Sequence, residues 1–369
     1  MGRGTGPLEG VVSDVDKDTV FWHGKRVLVT GHTGFKGAWL CLMLHILGAE
    51  VTGLALEPGE PSAFGLLGVG GLLRDSLMVD IRDPLHMRES VRKARPEIVF
   101  HLAAQALVGE GYRDPAGTYA VNAGGTLNLL EALRRLPGVA AAVIVTSDKV
   151  YRNNDCGRPF RESDPLGGYD PYSASKAAAE FIVSDWRNAF GKDLPPMATA
   201  RAGNVLGGGD FGRERLVPDL IRAQAAGRPL VLRHPDATRP FQHVLDVLRG
   251  YLLLARALTQ HPRKIPCALN FGPRDGEIRV RDLLDLWGTA VSSPVHWEAH
   301  GKTTMPELRR LSLASVLAAR TLSWRPTHDT GRAVAKTALW YEAWSAGRDM
   351  AAYSEAEARE FLHSRGGEA

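Results

Sequence analysis

The stretch RVLVTGHTGFKG, residues 26–37, indicates the fold of this chain more strongly than any other. It opens with a short apolar run typical of a buried strand, continues into a glycine-rich segment over 31–37, and leads into an apolar helix over 38–47. Glycines three residues apart at a strand-to-helix turn let the backbone approach a pyrophosphate held at the helix N-terminus. A tight turn without a ligand is the alternative, but a second predicted strand follows at 50–56. We therefore predict a dinucleotide-binding unit.

Strand and helix patterns alternate beyond this unit. Predicted strands at 77–80, 98–102 and 141–146 are separated by stretches with helical periodicity at 85–94 and 122–136. This alternation predicts an α/β fold with a doubly wound parallel sheet of the Rossmann type. Ligands on such a sheet bind at the carboxyl ends of the strands.

The length of 369 residues suggests two domains, or one large domain with a lobe. We expect a dinucleotide-binding domain over 21–195 that carries the catalytic helix. A smaller C-terminal substrate-binding lobe is expected over 196–350, interleaved with the last sheet strands. Residues 1–20 are expected to be a disordered extension, and 351–369 a C-terminal tail that frays.

Composition limits the possible partners and locations. The net charge of +4 comes from scattered basic residues, which favours a phosphate-bearing small molecule over nucleic acid. The longest apolar stretch near the N-terminus, 38–47, is too short to span a bilayer, and no signal-peptide core precedes it. Three distant cysteines suit a reducing, cytoplasmic location and offer no metal site. We expect no nucleic-acid or membrane partner.

The most informative chemistry lies between Thr146 and Lys176. Tyr172 precedes Lys176 by four residues on a predicted helix, so the phenol and the ammonium share a face. The cation is expected to lower the pKa of Tyr172 toward neutrality, so that this residue takes a proton from a sugar hydroxyl while a nicotinamide takes the hydride. Asp148 and Lys149 add an acid and a base that a plain alcohol dehydrogenase does not need. That surplus indicates a dehydratase, and a surface ion pair is the alternative.

Other polar residues at strand ends have simpler interpretations. Asp80 is placed to accept from an adenine amino group, or to cap the following helix. The second strand is followed by no Arg or Lys that could meet a ribose phosphate, which favours NAD over NADP. Asn122 is expected to be a structural cap or hydrogen-bond node, and His101 a packed core histidine. Arg201 could face either the cofactor or the substrate.

Longer strings resemble a known family. The glycine spacing of 31–37, together with YSASK at 172–176, resembles the extended short-chain dehydrogenase/reductase superfamily. Within it, the strings that resemble the CDP-glucose 4,6-dehydratase family are VTSDKVY (145–151), DPLGGYDPYSASK (164–176), ARAGNVLGGGD (200–210) and RPFQHV (239–244). Asp-Lys stands where dTDP-glucose dehydratases have Asp-Glu, and the likeness runs from about residue 21 to about residue 341.

The resemblance implies NAD as the cofactor and a nucleotide sugar as the substrate. The implied cofactor-binding residues are Gly31, Thr33, Gly34, Phe35, Lys36, Gly37, Asp80, Ile81, Leu102, Ala103, Ala104, Gln105, Thr146, Tyr172 and Lys176. The implied substrate-binding residues are Asn204, Arg215, Leu216, Val217 and Arg239. A homodimer or homotetramer is also implied, formed through helices that flank the catalytic helix.

The implied reaction converts CDP-D-glucose to CDP-4-dehydro-6-deoxy-D-glucose and water, a step toward deoxysugars of cell-surface polysaccharide such as lipopolysaccharide O-antigen. Tyr172 is the implied C4 base, Lys176 lowers its pKa and holds the nicotinamide ribose, and Ser147 bonds the C4 oxygen. Asp148 protonates the departing C6 hydroxyl and Lys149 takes the C5 proton, although these two roles could be exchanged.

Alternatives stay open at this point. An NAD-dependent nucleotide-sugar 4-epimerase needs Ser147, Tyr172 and Lys176 but gains nothing from the Asp-Lys pair. A 4,6-dehydratase for another nucleotide sugar and a catalytically silent dinucleotide sensor share the same fold. The segment 315–324 departs from the family wording, which leaves the specificity for the nucleotide base undetermined.

Overall fold

The computed structural model describes residues 14–153, 157–299 and 310–364. Its strands are β1 (Arg26–Thr30), β2 (Glu50–Ala55), β3 (Asp75–Met78), β4 (Ile98–His101), β5 (Ala141–Val145), β6 (Met197–Ala202), β7 (Val205–Leu206), β8 (Leu230–Leu232), β9 (Thr238–Arg239), β10 (Gln242–His243), β11 (Ala268–Phe271), β12 (Ile278–Arg279) and β13 (Trp297–Ala299). Its helices are α1 (Asp14–Trp22), α2 (Phe35–Ile46), α3 (Ala63–Leu66), α4 (Pro84–Ala94), α5 (Val108–Arg113), α6 (Pro115–Tyr119), α7 (Gly125–Arg134), α8 (Pro171–Phe190), α9 (Leu216–Ala225), α10 (Val244–Gln260), α11 (Val280–Ala290), α12 (Val316–Leu322), α13 (Thr330–Ser345) and α14 (Met350–His363).

The centre of the molecule is a seven-stranded sheet with the order β11-β6-β5-β4-β1-β2-β3. Every neighbouring pair in it is parallel. The order reverses between β1 and β4, which creates a crevice at the carboxyl ends of these strands. The predicted doubly wound sheet of the Rossmann type is confirmed.

Two apolar layers cover the two faces of this sheet. In β1, Val27 and Val29 point into the larger layer and Leu28 points into the other, as the two-residue period of a strand requires. Helices α2 and α10 pack in the larger layer, and α4, α7 and α8 pack in the smaller one. Such strands, buried on both faces, explain the continuous apolar runs of the sequence.

The smaller lobe consists of short elements between the last sheet strands and beyond them. Three two-stranded sheets pair β10 with β7, β12 with β9, and β13 with β8. Strands β6 and β11 return to the main sheet, so lobe and sheet alternate along the chain.

The first helix begins inside the segment that was expected to be disordered. Residues 1–13 lie outside the described residues, but α1 begins at Asp14. Trp22 is fully buried against Phe100, and the buried carboxylate of Asp18 forms ion pairs with Arg249 and Arg256 of α10. The expectation of disorder is therefore wrong for residues 14–20, because these contacts, distant in sequence, hold the helix.

The expected C-terminal tail is instead a packed helix. In α14 the side chains of Phe361 and Leu362 are buried in the larger apolar layer. Ser354 accepts a hydrogen bond from the indole nitrogen of Trp340 at 2.9 Å. The charged residues between 355 and 360 had suggested fraying, but they share a helix with a buried apolar face. Residues 365–369 lie outside the described part of the chain, as does Cys156.

No helix within the described ranges is long and apolar enough to cross a membrane.

Candidate active site

The glycine-rich segment leaves no room for side chains at two of its positions. Gly31 has φ +77°, and a Cβ atom there would lie 2.6 Å from the backbone nitrogen of Ala103. A Cβ at Gly37 would lie 2.1 Å from the carbonyl oxygen of Gly31. Gly34, the residue before α2, supplies no side-chain cap, so the first-turn amides of this helix are left for another acceptor. This arrangement fits the pyrophosphate of a dinucleotide.

The segment after β4 lies directly over this turn and is anchored by Asn122. The Asn122 carboxamide accepts from the Gln105 backbone nitrogen at 2.9 Å, donates to the Gln105 carbonyl at 3.0 Å, and donates to the Ser175 hydroxyl at 2.9 Å. Asn122 therefore joins the partly buried residues 102–105 to α8, and it is a hydrogen-bond node as predicted. His101, buried between Thr30 and Thr126 with its pKa lowered to about 3 by burial, is the predicted core histidine.

Three further residues predicted for the cofactor, Thr33, Asp80 and Ile81, lie near the ends of β2 and β3. The Thr33 hydroxyl donates to the Leu56 carbonyl at 2.9 Å. The carboxylate of Asp80 accepts hydrogen bonds from Arg82, which lower its pKa. The helix that follows is capped by Asp83, so the interpretation of Asp80 as the cap is wrong. The buried Ile81 fills the space where a side chain at position 125 would stand.

Tyr172 and Lys176 both lie buried in the first two turns of α8, as their spacing predicted. The Lys176 ammonium donates to the carbonyl of Val145 at 3.0 Å. Burial raises the pKa of Tyr172, whereas a hydrogen bond with Ser147 and the charge of Arg215 act to lower it. The expected lowering of this pKa by Lys176 is therefore wrong for the chain as it stands. Lys176 faces β5, and burial with the nearby Lys36 lowers its own pKa to about 7.

Asp148 has a buried carboxyl group whose two oxygens have different environments. Its Oδ1 accepts from the Ser147 hydroxyl at 3.2 Å, while its Oδ2 has no hydrogen-bond partner among the described residues. Burial raises its pKa to about 6, against the effects of Lys149, Ser147 and Arg239. Because this carboxyl is only 3% exposed, the alternative of a surface ion pair does not apply to it. A carboxyl with this pKa can hold or release a proton near neutral pH.

The neighbours of Asp148 follow from the end of β5. The Thr146 hydroxyl donates to Glu180, and the Ser147 hydroxyl accepts from the backbone nitrogen of Lys149 at 3.2 Å. Residues 148–150 form a single 3₁₀ turn that leaves the Lys149 side chain partly buried. A Cβ at position 203 would lie 3.1 Å from the free oxygen of Asp148, so Gly203 leaves space on that side.

Lys36 extends from the dinucleotide turn into the same region. Its ammonium lies 5.9 Å from the centroid of the Tyr251 ring, whose buried hydroxyl has no partner among the described residues. Burial and the charge of Arg215 lower the pKa of Lys36 to about 8, whereas Asp148 acts to raise it. Lys36 therefore brings the glycine-rich turn into electrostatic contact with Asp148 and Arg215. A lysine in the glycine segment is visible in the sequence, but its neighbours are not.

Two arginines predicted for the substrate act electrostatically on this group of residues: Arg215 on Lys36 and Tyr172, and Arg239 on Asp148. Arg215, at the start of α9, forms an ion pair with Asp210 at 2.9 Å. Arg239 is buried in β9 and donates to the Thr238 carbonyl at 2.8 Å, and its charge reaches Asp148. Leu216 and Val217 form the first turn of α9, and the Asn204 carbonyl accepts from the Gln242 nitrogen at 3.0 Å. Sequence reasoning missed Asp210, although it ends a string that carried the resemblance.

Two residues of the string at 200–210 have contacts inside the protein. Arg201 forms a buried ion pair with Glu180 at 2.7 Å and donates to the Tyr151 hydroxyl at 2.8 Å. It therefore joins β6 to α8 and to the Tyr151 side chain inside the protein. A Cβ at position 208 would lie 1.9 Å from the Trp340 ring, so Gly208 permits close packing against that ring. Within the described ranges, no three His, Cys, Asp or Glu side chains are grouped to hold a metal ion.

Comparison with known proteins agrees with this geometry. Residues 27–268 match the family described as NAD dependent epimerase/dehydratase family. The chain is 40% identical over 360 residues to the CDP-glucose 4,6-dehydratase of Salmonella typhimurium, covering 94% of this chain and 98% of that protein. It is 29% identical to the UDP-glucose 4-epimerase of Mycolicibacterium smegmatis, covering 86% of this chain and 98% of that protein.

A solved structure shares the architecture. The UDP-glucose-4-epimerase of Stenotrophomonas maltophila, solved with bound NAD and formylated UDP-arabinopyranose, matches with a TM-score of 0.77 and 25% identity. The match covers 88% of this chain and 99% of that one. These comparisons confirm the resemblance that the strings of sequence had indicated. The chain therefore belongs to the NAD dependent epimerase/dehydratase family.

Proposed function

We propose that this chain is an NAD-dependent CDP-glucose 4,6-dehydratase, a hydro-lyase that forms CDP-4-dehydro-6-deoxy-D-glucose and water from CDP-D-glucose. The observation that carries the proposal is the buried Asp148 carboxyl beside Ser147, with one oxygen unpartnered among the described residues and a pKa raised to about 6. An epimerase needs no second acid at this place. The 40% identity with the Salmonella enzyme supports cytidine as the nucleotide.

The C4 step uses residues of the catalytic helix and β5. NAD, when bound, supplies the hydride acceptor at C4 and the hydride donor at C6. Tyr172 removes the proton of the C4 hydroxyl, and Ser147 bonds the C4 oxygen as charge develops there. Lys176, held by the Val145 carbonyl, is assigned to the nicotinamide ribose.

The elimination step uses Asp148 and Lys149. A ketone at C4 acidifies the hydrogen on C5, which Lys149 removes as Asp148 protonates the departing C6 hydroxyl. The free oxygen of Asp148, with the space that Gly203 leaves beside it, supports this assignment. Lys149 then returns a proton to C5 as C6 is reduced.

The diphosphate of the substrate is assigned to Asn204, Arg215 and Arg239, with Leu216 and Val217 next to the nucleoside. Arg239 is buried and Arg215 is oriented by Asp210, so both guanidinium groups are held before a ligand arrives. Guanidinium pairs with phosphate in a bidentate geometry, which makes both residues suitable.

Location and assembly follow the family. We propose that the protein acts in the cytoplasm, that it forms a homodimer or homotetramer, and that its product leads to deoxysugars of cell-surface polysaccharide. Phe181 on α8 is 57% exposed, which supports a contact between copies that involves this helix together with the helices that flank it. Light scattering of the wild type and of Phe181→Glu tests the assembly, since the variant should shift toward monomer.

Product mass tests the function directly. The purified protein is incubated with NAD and with CDP-glucose, and in parallel with dTDP-glucose, UDP-glucose and GDP-mannose. We expect loss of one water from CDP-glucose without net reduction of NAD. An isomer of unchanged mass would instead support a 4-epimerase. Loss of water from only one of the other nucleotide sugars would show that the enzyme is specific for that nucleotide base instead of cytosine.

A further inference from the structure

The proton balance of the proposed reaction requires a transfer inside the protein. Tyr172 gains one proton from the C4 hydroxyl, whereas Asp148 loses one proton to the departing C6 oxygen. Lys149 takes a proton from C5 and later returns one to C5, so its protonation state is the same before and after a turnover. Each turnover therefore leaves Tyr172 with one proton too many and Asp148 with one too few, and a second turnover needs that proton moved.

A hydroxyl group lies between these two residues. The Ser147 hydroxyl donates to Oδ1 of Asp148 at 3.2 Å, and it lies close enough to the Tyr172 side chain to lower the pKa of that phenol. The backbone nitrogen of Lys149 donates to the same hydroxyl at 3.2 Å and fixes its position. A hydroxyl can accept one proton while it donates another, which is what a relay requires.

Burial separates this connection from bulk water. Ser147, Asp148 and Tyr172 are each less than 9% exposed. Burial raises the pKa of Asp148 to about 6, so its carboxylate is a better proton acceptor than an exposed aspartate. The two Asp148 oxygens have different environments. Oδ1 accepts from Ser147, whereas Oδ2 has no hydrogen-bond partner among the described residues.

We propose that Ser147 relays one proton per turnover from the Tyr172 hydroxyl to the Asp148 carboxylate. Tyr172 gives its proton to the Ser147 oxygen as the Ser147 proton passes to Oδ1 of Asp148. The O–H bond of Tyr172 breaks and an O–H bond on Asp148 forms, so the proton from C4 replaces the one that leaves in water. No additional acid, base or reductant is consumed. The relay rests on the proposed dehydratase function and extends it.

The test compares first and later turnovers of Ser147→Ala, with Ser147→Thr as the matched control that keeps a hydroxyl. In a rapid-quench experiment the alanine variant should give about one product per site, followed by steady turnover slower by roughly 10²-fold, the usual contribution of positioned proton transfer. Imidazole buffer should accelerate this slow phase in proportion to its concentration. The threonine variant should show neither the burst nor the buffer effect.

Equal slowing of first and later turnovers in Ser147→Ala, without a buffer effect, would overturn the relay. That result would indicate that Ser147 only bonds the C4 oxygen. If the variant does not turn over at all, the test is made on the wild type, whose turnover rate is measured in mixtures of light and heavy water. Two protons moving in one relay give a curved dependence of rate on deuterium fraction, and a linear plot contradicts the relay. Failure of the proposed function is distinct, since the wild type would then release no water.

Discussion

The ammonium nitrogen of Lys176 lies 3.0 Å from the carbonyl oxygen of Val145 and so joins the catalytic helix to the last residue of β5. This bond fixes the position of the helix against β5, and Thr146, Ser147 and Asp148 follow directly after that strand. It also places the ammonium in a buried environment near Lys36, which explains why the pKa of Lys176 is lowered to about 7. The charge on Lys176 is therefore adjustable near neutral pH.

Lys36→Met should raise the pKa of Lys176, because the variant removes a neighbouring positive charge. If the protonated Lys176 binds the nicotinamide ribose, NAD affinity in the wild type should fall as pH rises through about 7. In Lys36→Met this loss should move to higher pH. Fluorescence titration with NAD across this range measures the shift, with the exposed Lys93→Met as control. A profile that moves to lower pH would contradict the coupling.

Asp148→Asn should stabilise the fold at alkaline pH. The folded-state pKa of Asp148 is raised from 3.8 to about 6, so the folded chain binds more protons than the unfolded chain between these values. Its contribution to stability therefore falls as pH rises through this window. At pH 8 the variant should gain about 3 kcal/mol at most, since each pKa unit corresponds to about 1.4 kcal/mol. Urea unfolding at pH 8 and pH 5 checks this, and a variant less stable at pH 8 would refute the raised pKa.

Glu180→Ala should destabilise the fold by about 3–5 kcal/mol, because it leaves the buried Arg201 guanidinium without its carboxylate. Thr146 and Thr199 also donate to this carboxylate, so its removal should make the end of β5 more mobile. The matched control is Glu131→Ala, which removes a partly exposed ion pair and should cost less than about 1 kcal/mol. Similar unfolding midpoints for both variants would show that the buried pair is not structural.

Gly37→Ala should abolish NAD binding, because the added Cβ would lie 2.1 Å from the carbonyl oxygen of Gly31. The turn must then shift away from the position that a pyrophosphate requires. Gly71→Ala is the control, since a Cβ there meets nothing within 4 Å. Calorimetric titration should detect NAD binding in the control and none in Gly37→Ala. Equal affinity in both would place the cofactor elsewhere.

The sequence predicted the sheet well because buried parallel strands are continuous apolar runs with recognisable turns. β1 begins and ends where the pattern predicted, and the acid-base residues follow from the end of β5 and the start of α8. Their environments could not be predicted in the same way. The direction of the Tyr172 pKa depends on burial and on Ser147 and Arg215, which are distant in sequence.

The terminal helices were missed for a related reason. α1 is held by the ion pairs of Asp18 with residues more than two hundred positions away, and α14 by its packing against the core. Charge and glycine content describe a segment by itself and contain no information about such contacts. Arg201 was ambiguous for the same reason, since its partner Glu180 lies on another element.

Transfer of deuterium from C4 to C6 would reveal the oxidation at C4 and the reduction at C6 in one experiment. CDP-glucose labelled with deuterium at C4 is converted by the purified protein with NAD, and the product is examined by mass spectrometry and NMR. A 4,6-dehydratase gives a product that has lost one water and carries the deuterium in its C6 methyl group. Deuterium that remains at C4 in a product of unchanged mass, or that is lost to solvent, would rule out hydride transfer from C4 to C6.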